Sequence, residues 1–143
     1  MNDQETTEAP KSVDGALAGV KVYLIEDDRF LHKLLGDKLA QTKAIIVPFY
    51  SGEDALVQVE KDQPNIILMD ILLPGMNGFE VLSKLKANPA VKDIPVIIIS
   101  NLGQESDVQK GMDLGAEEFL IKANFTLDEI MSKVEKILAA HKK

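Results

Sequence analysis

Cysteine is absent from the 143 residues of this chain. That excludes disulfides, thiolate metal sites and thiol nucleophiles together, and it suits a reducing compartment. Only two histidines are present, so chemistry falls chiefly to oxygen. Basic residues are in the minority: 16 Lys and Arg against 23 Asp and Glu leave a formal charge of -7 and a pI near 4.8. This argues against nucleic acid as a direct partner, because phosphate binding needs clustered Lys and Arg. No apolar run approaches the ~18 residues of a membrane span, and the opening MNDQETTEAP lacks the basic start and apolar stretch of a signal peptide. A cytoplasmic protein with no membrane contact is expected. Repeats and low-complexity blocks are also missing.

What is present fits one globular domain: 45% apolar and 27% charged residues sit near globular averages. Residues 1–19 stand apart, polar, with Pro10, Gly15 and Gly19 and four acids against one lysine, and are expected to form a mobile acidic leader ahead of a domain at 20–143. Beyond them, short β-branched runs alternate with longer amphipathic ones, the pattern of an α/β fold whose parallel sheet is covered by helices on both faces.

Strands are predicted at Val20 to Ile25, Ala44 to Phe49, Asn65 to Met69, Pro95 to Ile99 and Glu117 to Ile121. The runs KVYLI, IILM and VIII are nearly unbroken, as strands buried on both faces should be. A first helix shows Phe30, Leu31, Leu34, Leu35 and Leu39 on one face with Asp28 as its cap. A second opens on Ser51-Gly52-Glu53-Asp54, read as a capping box, and carries Leu56 and Val59. A third follows Gly78 and stops near Asn88-Pro89, because proline disfavours helical geometry in the residue before it. A fourth runs from near Gln104 to a C-cap at Gly115. The last starts at Thr126 with Glu129 three residues on, turns Leu127, Ile130, Val134 and Leu138 inward, and has Lys136, Lys142 and Lys143 toward its negative pole.

Five βα units in an open sheet bind ligands at the carboxyl ends of the strands. At those ends stand Glu26-Asp27, Asp70, Ser100 and Lys122. Three carboxylates without histidine or cysteine suit a hard divalent cation, and Mg2+ fits best because it takes one or two carboxylates, keeps several waters and accepts a phosphate oxygen. A carboxylate beside such a cation can act as a nucleophile and form an acyl phosphate. Asp70, between the buried run IILM and the turn ILLPG, is the best candidate; Lys122 can supply a fixed cation and Ser100 a hydrogen bond.

LIEDD, ILMDILLPGMNGFE, IPVIIIS and GAEEFLIK occur in this order over Val20 to about Ala140. In these motifs the chain resembles the receiver domain of two-component response regulators, in its stand-alone, chemotaxis-regulator-like form. The resemblance implies a flavodoxin-like (βα)5 fold with strand order 2-1-3-4-5. It implies that Asp70 accepts phosphate from the phosphohistidine of a sensor histidine kinase or a histidine phosphotransfer protein. It further implies Mg2+ held by Asp27, Asp70 and the Leu72 carbonyl, with Glu26 acting through water. Ser100 and Lys122 would contact the phosphoryl group, and Ser100 with Phe119 would switch the face made by the fourth helix, fifth strand and fifth helix for a downstream target. A monomer is expected, able to dimerise when phosphorylated, and no catalysis beyond its own phosphotransfer and dephosphorylation.

The chain departs from the family pattern in two places. Ala123 stands where proline usually follows the lysine, so a trans or strained bond is expected there, since a cis bond before a non-proline residue costs ~2.5 to 4 kcal/mol. Asn101 stands where a small residue is usual. Leu72 and Leu102, at rim positions that modulate phosphoryl hydrolysis in the family, are apolar, which points to a long-lived phosphorylated state.

Plainer readings compete at several positions. Asp28 reads as a helix cap and not a ligand, His32 and His141 as surface histidines, and Phe119 can be ordinary strand packing. Two other functions compete with the receiver. A Mg2+-dependent aspartyl-phosphate phosphatase needs a second acid two residues past the nucleophile, where Leu72 stands. A phosphorylation-independent interaction domain of the same fold would be indifferent to loss of Asp70.

Overall fold

A computed structural model of the chain describes residues 15–141. Five strands alternate with five helices: β1 (Lys21–Ile25), α1 (Arg29–Ala40), β2 (Ile45–Phe49), α2 (Gly52–Asp62), β3 (Ile66–Met69), α3 (Gly78–Ala87), β4 (Val96–Ser100), α4 (Glu105–Asp113), β5 (Glu118–Ile121) and α5 (Leu127–Ala140). A single 3₁₀ turn, Lys122–Asn124, joins the last two. All strand pairs are parallel, in the order β2-β1-β3-β4-β5. This is the flavodoxin-like (βα)5 fold that the resemblance implies.

Side chains alternate across a strand, so each strand serves two cores. Tyr23, Ile25, Ile67, Met69 and Ile98 face α2 and α3, where Ala55, Val59, Phe79, Val81, Leu82 and Leu85 close the first core. Val22, Leu24, Ile66, Leu68, Ile97 and Ile99 face α1 and α5, where Leu35, Leu39, Ile130, Met131, Val134 and Ile137 close the second. Full burial of each large aliphatic side chain contributes about 1.5–3 kcal/mol, so the three central strands dominate the stability of the sheet. The edge strand β2 carries exposed Pro48, which has no N–H to offer a further strand.

Local signals set the helix boundaries. Asp28 caps α1 by accepting from the Phe30 and Leu31 amides. Thr126 and Glu129 form a complete capping box on α5, and Asn77 and Glu80 form another on α3 that the sequence reading did not pick out. Asn88, before Pro89, takes extended geometry (φ -99°, ψ 110°) and ends α3.

Several expectations are corrected. The inward face of α1 is rotated from the one predicted: Phe30 is 73% and Leu34 37% exposed, while His32 is buried and stacked on Tyr50 at 4.5 Å. The reading of His32 as a surface residue therefore fails; the ring has enough carbon surface to pack where a leucine was expected. Only half of the α2 capping box exists. Ser51 accepts from the Asp54 amide, and no bond returns to Ser51, because the residue at the third helical position is Asp, shorter than the Glu or Gln such a box uses. The last turn of α5 has no basic residue, and Lys142 and Lys143 lie outside the described residues. In the leader, residues 1–14 lie outside the described residues; from Gly15 the chain is a turn in which Leu17 is 5% exposed and its amide donates to the Thr42 carbonyl at 3.0 Å. Among the described residues no helix is long and apolar enough to cross a membrane.

Candidate functional site

The carboxyl ends of β1, β3, β4 and β5 form one rim because parallel pairing in register brings them level. Ile25 pairs with Met69, Met69 with Ile98, and Ser100 with Ile121. The residues that follow these pairs, Glu26, Asp70 and Lys122, are thus delivered to one place.

There they meet. Lys122 Nζ lies 3.0 Å from Asp70 Oδ2 and 3.3 Å from Glu26 Oε1. Glu26 and Asp70 are almost fully buried and Asp27 is exposed, with one carboxylate oxygen from each within 4.8 Å of the others. Asp70 Oδ1 accepts from the Leu72 amide at 3.2 Å, and Glu26 Oε2 accepts from the Asp28 amide at 3.0 Å. Ser100 is buried at the end of β4, its Oγ accepting from the Leu102 amide at 3.3 Å. Leu72 is 53% exposed at the mouth.

The electrostatics follow from burial and count. Burial pushes the Glu26 carboxyl up to about 6; the Asp28 amide and Lys122 pull it down, and the charge of Asp70 pushes it further up. Burial lowers Lys122, but its hydrogen bond to Asp70 and the charges of Asp70 and Glu26 outweigh that and raise it. One ammonium against three carboxylates leaves the rim short of positive charge. An all-oxygen set of this density, two of its members nearly dry, fits a hard divalent cation. It is the only such acidic cluster among the described residues.

The sequence pattern of the response regulator receiver domain matches residues 22–135. The chain belongs to this family. Receiver relatives include the response regulator PleD of Caulobacter vibrioides, 34% identical over 78% of this chain and 24% of that protein. PilG of Pseudomonas aeruginosa is 29% identical over 82% of this chain and 86% of that protein. The gliding motility regulatory protein of Myxococcus xanthus is 29% identical, and this chain spans 16% of its length. The chain thus spans less than a quarter of the length of some relatives it matches. Among solved structures, the phosphorylated cyanobacterial phytochrome response regulator RcpA superposes with a TM-score of 0.75 at 27% identity, covering 88% of this chain and 98% of that one. The signal receiver domain of a Syntrophus aciditrophicus histidine kinase gives a TM-score of 0.80 at 26% identity, covering 87% and 94%. As members of the family, these receivers provide a frame for the remaining site residues.

Phe119 stands in β5 of the receiver sheet, 9% exposed, in the core that also contains Ile98 and Phe79. Asp28 caps α1, as its position in the sequence suggested. No peptide bond is cis among the described residues, so the bond before Ala123 is trans; Asn101 is exposed. Sequence reasoning missed Glu53, whose carboxylate accepts from the Met76 amide at 2.9 Å, and Tyr23, whose hydroxyl donates to Asp62 at 2.8 Å. Both act across 20 or more residues, beyond the reach of a local pattern. His141 pairs with Glu117 at 3.2 Å, a surface contact just before the start of β5, at the opposite end of that strand from Lys122.

Proposed function

We propose that this receiver is a phosphorylatable switch: Asp70 takes a phosphoryl group from the phosphohistidine of a histidine kinase or phosphotransfer protein, in a Mg2+-dependent step. The observation that carries it is the convergence of Lys122 on Asp70 at 3.0 Å inside the three-carboxylate cluster. In the transfer, the donor's P–N bond breaks as a P–O bond forms to Asp70, and the imidazole leaves.

The chain's own residues prepare this step. The Leu72 amide holds one carboxylate oxygen of Asp70 and thereby orients the group. Lys122, fixed between Asp70 and Glu26, is placed to receive negative charge from the incoming group. Glu26, Asp27, Asp70 and the Leu72 carbonyl would hold Mg2+, which when bound neutralises charge on the transferring oxygens. Ser100, which now accepts from Leu102, has a hydroxyl proton to donate to a phosphoryl oxygen. Movement of Ser100 toward that oxygen frees space for Phe119, and the α4-β5-α5 face then differs between states for a downstream protein.

On this reading the chain catalyses its own phosphotransfer and dephosphorylation and turns over no separate substrate. Incubation with Mg2+ and a small acyl phosphate should add one phosphoryl mass, and Asp70→Ala should abolish it. A wild-type chain that acquires no phosphoryl group and binds no beryllofluoride would refute the proposal.

A further inference from the structure

The arc Leu72-Leu73-Pro74-Gly75 begins at the amide that donates to Asp70 Oδ1 and carries the Leu72 carbonyl assigned to the cation. Its near end is tied at Ile71, whose carbonyl accepts from both the Leu73 amide at 3.0 Å and the Gly78 amide at 2.9 Å. Its far end is tied from another element. Glu53, in the first turn of α2, accepts the Met76 amide on Oε2 at 2.9 Å. The same oxygen occupies the place a Cβ would take at Gly75, where φ is +70°. Gly75 is therefore required twice, for its backbone geometry and to admit the carboxylate. Glu53 takes no part in the α2 cap, whose third helical position is Asp54, and its carboxylate serves the loop beside the phosphoacceptor instead.

We propose that Glu53 is a positioning residue for the cation site: it fixes the far end of the 72–75 arc and so places the Leu72 carbonyl. The inference rests on the Mg2+ reading of the rim. Mg2+ demands near-ideal octahedral geometry, so a backbone ligand on a loose arc must be ordered at the moment of binding. A charge-assisted hydrogen bond that orders the arc beforehand removes that cost. The bond, and not the through-space charge of Glu53, is the agent. Glu53→Gln keeps an acceptor oxygen at the same reach and should preserve the effect; Glu53→Ala and the shorter Glu53→Asp should lose it.

The test is calorimetric titration of the full chain with Mg2+, paired with hydrogen exchange at the 72–76 amides and a thermal melt of each variant. Glu53→Ala is expected to weaken Mg2+ binding about tenfold, at the low end for residues that support metal ligands because Glu53 is solvent-exposed. The Met76 amide should exchange faster in step, and Glu53→Gln should stay within about twofold of wild type, since it keeps the bond. Wild-type affinity in Glu53→Ala, or equal weakening in Glu53→Gln and Glu53→Ala, would overturn the inference alone. Failure of the wild-type chain to bind Mg2+ would overturn the reading of the rim and this inference with it.

Discussion

Gly111 of α4 and Phe119 of β5 touch so closely that a methyl group at Gly111 would lie 2.8 Å from the Phe119 ring and 3.0 Å from Ile98 Cδ1. The inward position of Phe119 thus depends on the missing side chain of Gly111. Alanine in a helix interior gains up to about 1 kcal/mol over glycine, and overpacking costs about 1–3 kcal/mol, so Gly111→Ala should be mildly destabilising. In a Phe119→Ala background the clash with the ring is gone and only the approach to the flexible end of Ile98 remains, so the same substitution should cost less or stabilise. A double-mutant cycle by urea denaturation should give a coupling of about 1–2 kcal/mol. Additive effects would show that Phe119 already has room to leave.

Removal of Lys122 should leave the buried Glu26 and Asp70 carboxylates facing each other without their shared cation. Lys122→Ala is expected to destabilise the Mg2+-free protein by roughly 3 kcal/mol, as for a buried pair that loses one partner. Adding Asp70→Asn should recover much of the loss by removing one of the stranded charges. Chemical denaturation in EDTA checks both arms; a stable Lys122→Ala single variant would mean that water already screens the cluster.

Tyr23 should make stability fall at alkaline pH. Burial, with the hydrogen bond to Asp62 and the charge of Asp62, holds its hydroxyl above the usual phenol range. A group raised in the folded state contributes stability that is complete below its unfolded value, near 10, and is lost as pH rises from there toward the folded value. Wild-type stability should decline above pH ~10 from this source and that of Tyr23→Phe should not. At neutral pH the Phe variant should lose about 1 kcal/mol for the hydrogen bond. Asp62 is linked in the opposite sense: the bonds from Lys21 and Tyr23 lower it, so its contribution is present above the ordinary aspartate range and lost as pH falls through the folded value. Denaturation midpoints across pH compare the two.

Apolar Leu72 and Leu102 flank Asp70 and Ser100, and neither can orient a water for attack on a phosphoryl group. The phosphorylated chain, freed of donor, should keep its label for hours. Leu72→Asn should shorten that lifetime about tenfold, a barrier change of ~1.4 kcal/mol. Radiolabel retention measures it; loss within minutes in the wild-type chain would contradict the assignment.

Sequence by itself determined what short-range physics encodes. Apolar, β-branched runs placed all five strands to within a residue or so at each end, and the signal was plainest in β1, β3 and β4, which are covered on both faces and have little room for polar side chains. Asp28, Thr126 with Glu129, and Pro89 set helix ends through contacts a few residues long. The strand-end rule singled out Glu26, Asp27, Asp70, Ser100 and Lys122, while the strand order came from family resemblance.

Tertiary structure decided the rest, because the partners are far apart along the chain. Lys122 reaches Asp70 across 52 residues, Tyr23 reaches Asp62 across 39, and Glu53 reaches Met76 across 23. The inward face of α1 holds Leu35, Leu39 and His32, whose ring stacks on Tyr50, and leaves Phe30 in solvent. Periodicity can mark a helix and an approximate face, but it cannot say what lies opposite. That depends on how the βα units pack, and in this chain the packing brings the Glu26-Asp27 pair, Asp70 and Lys122 together at one rim.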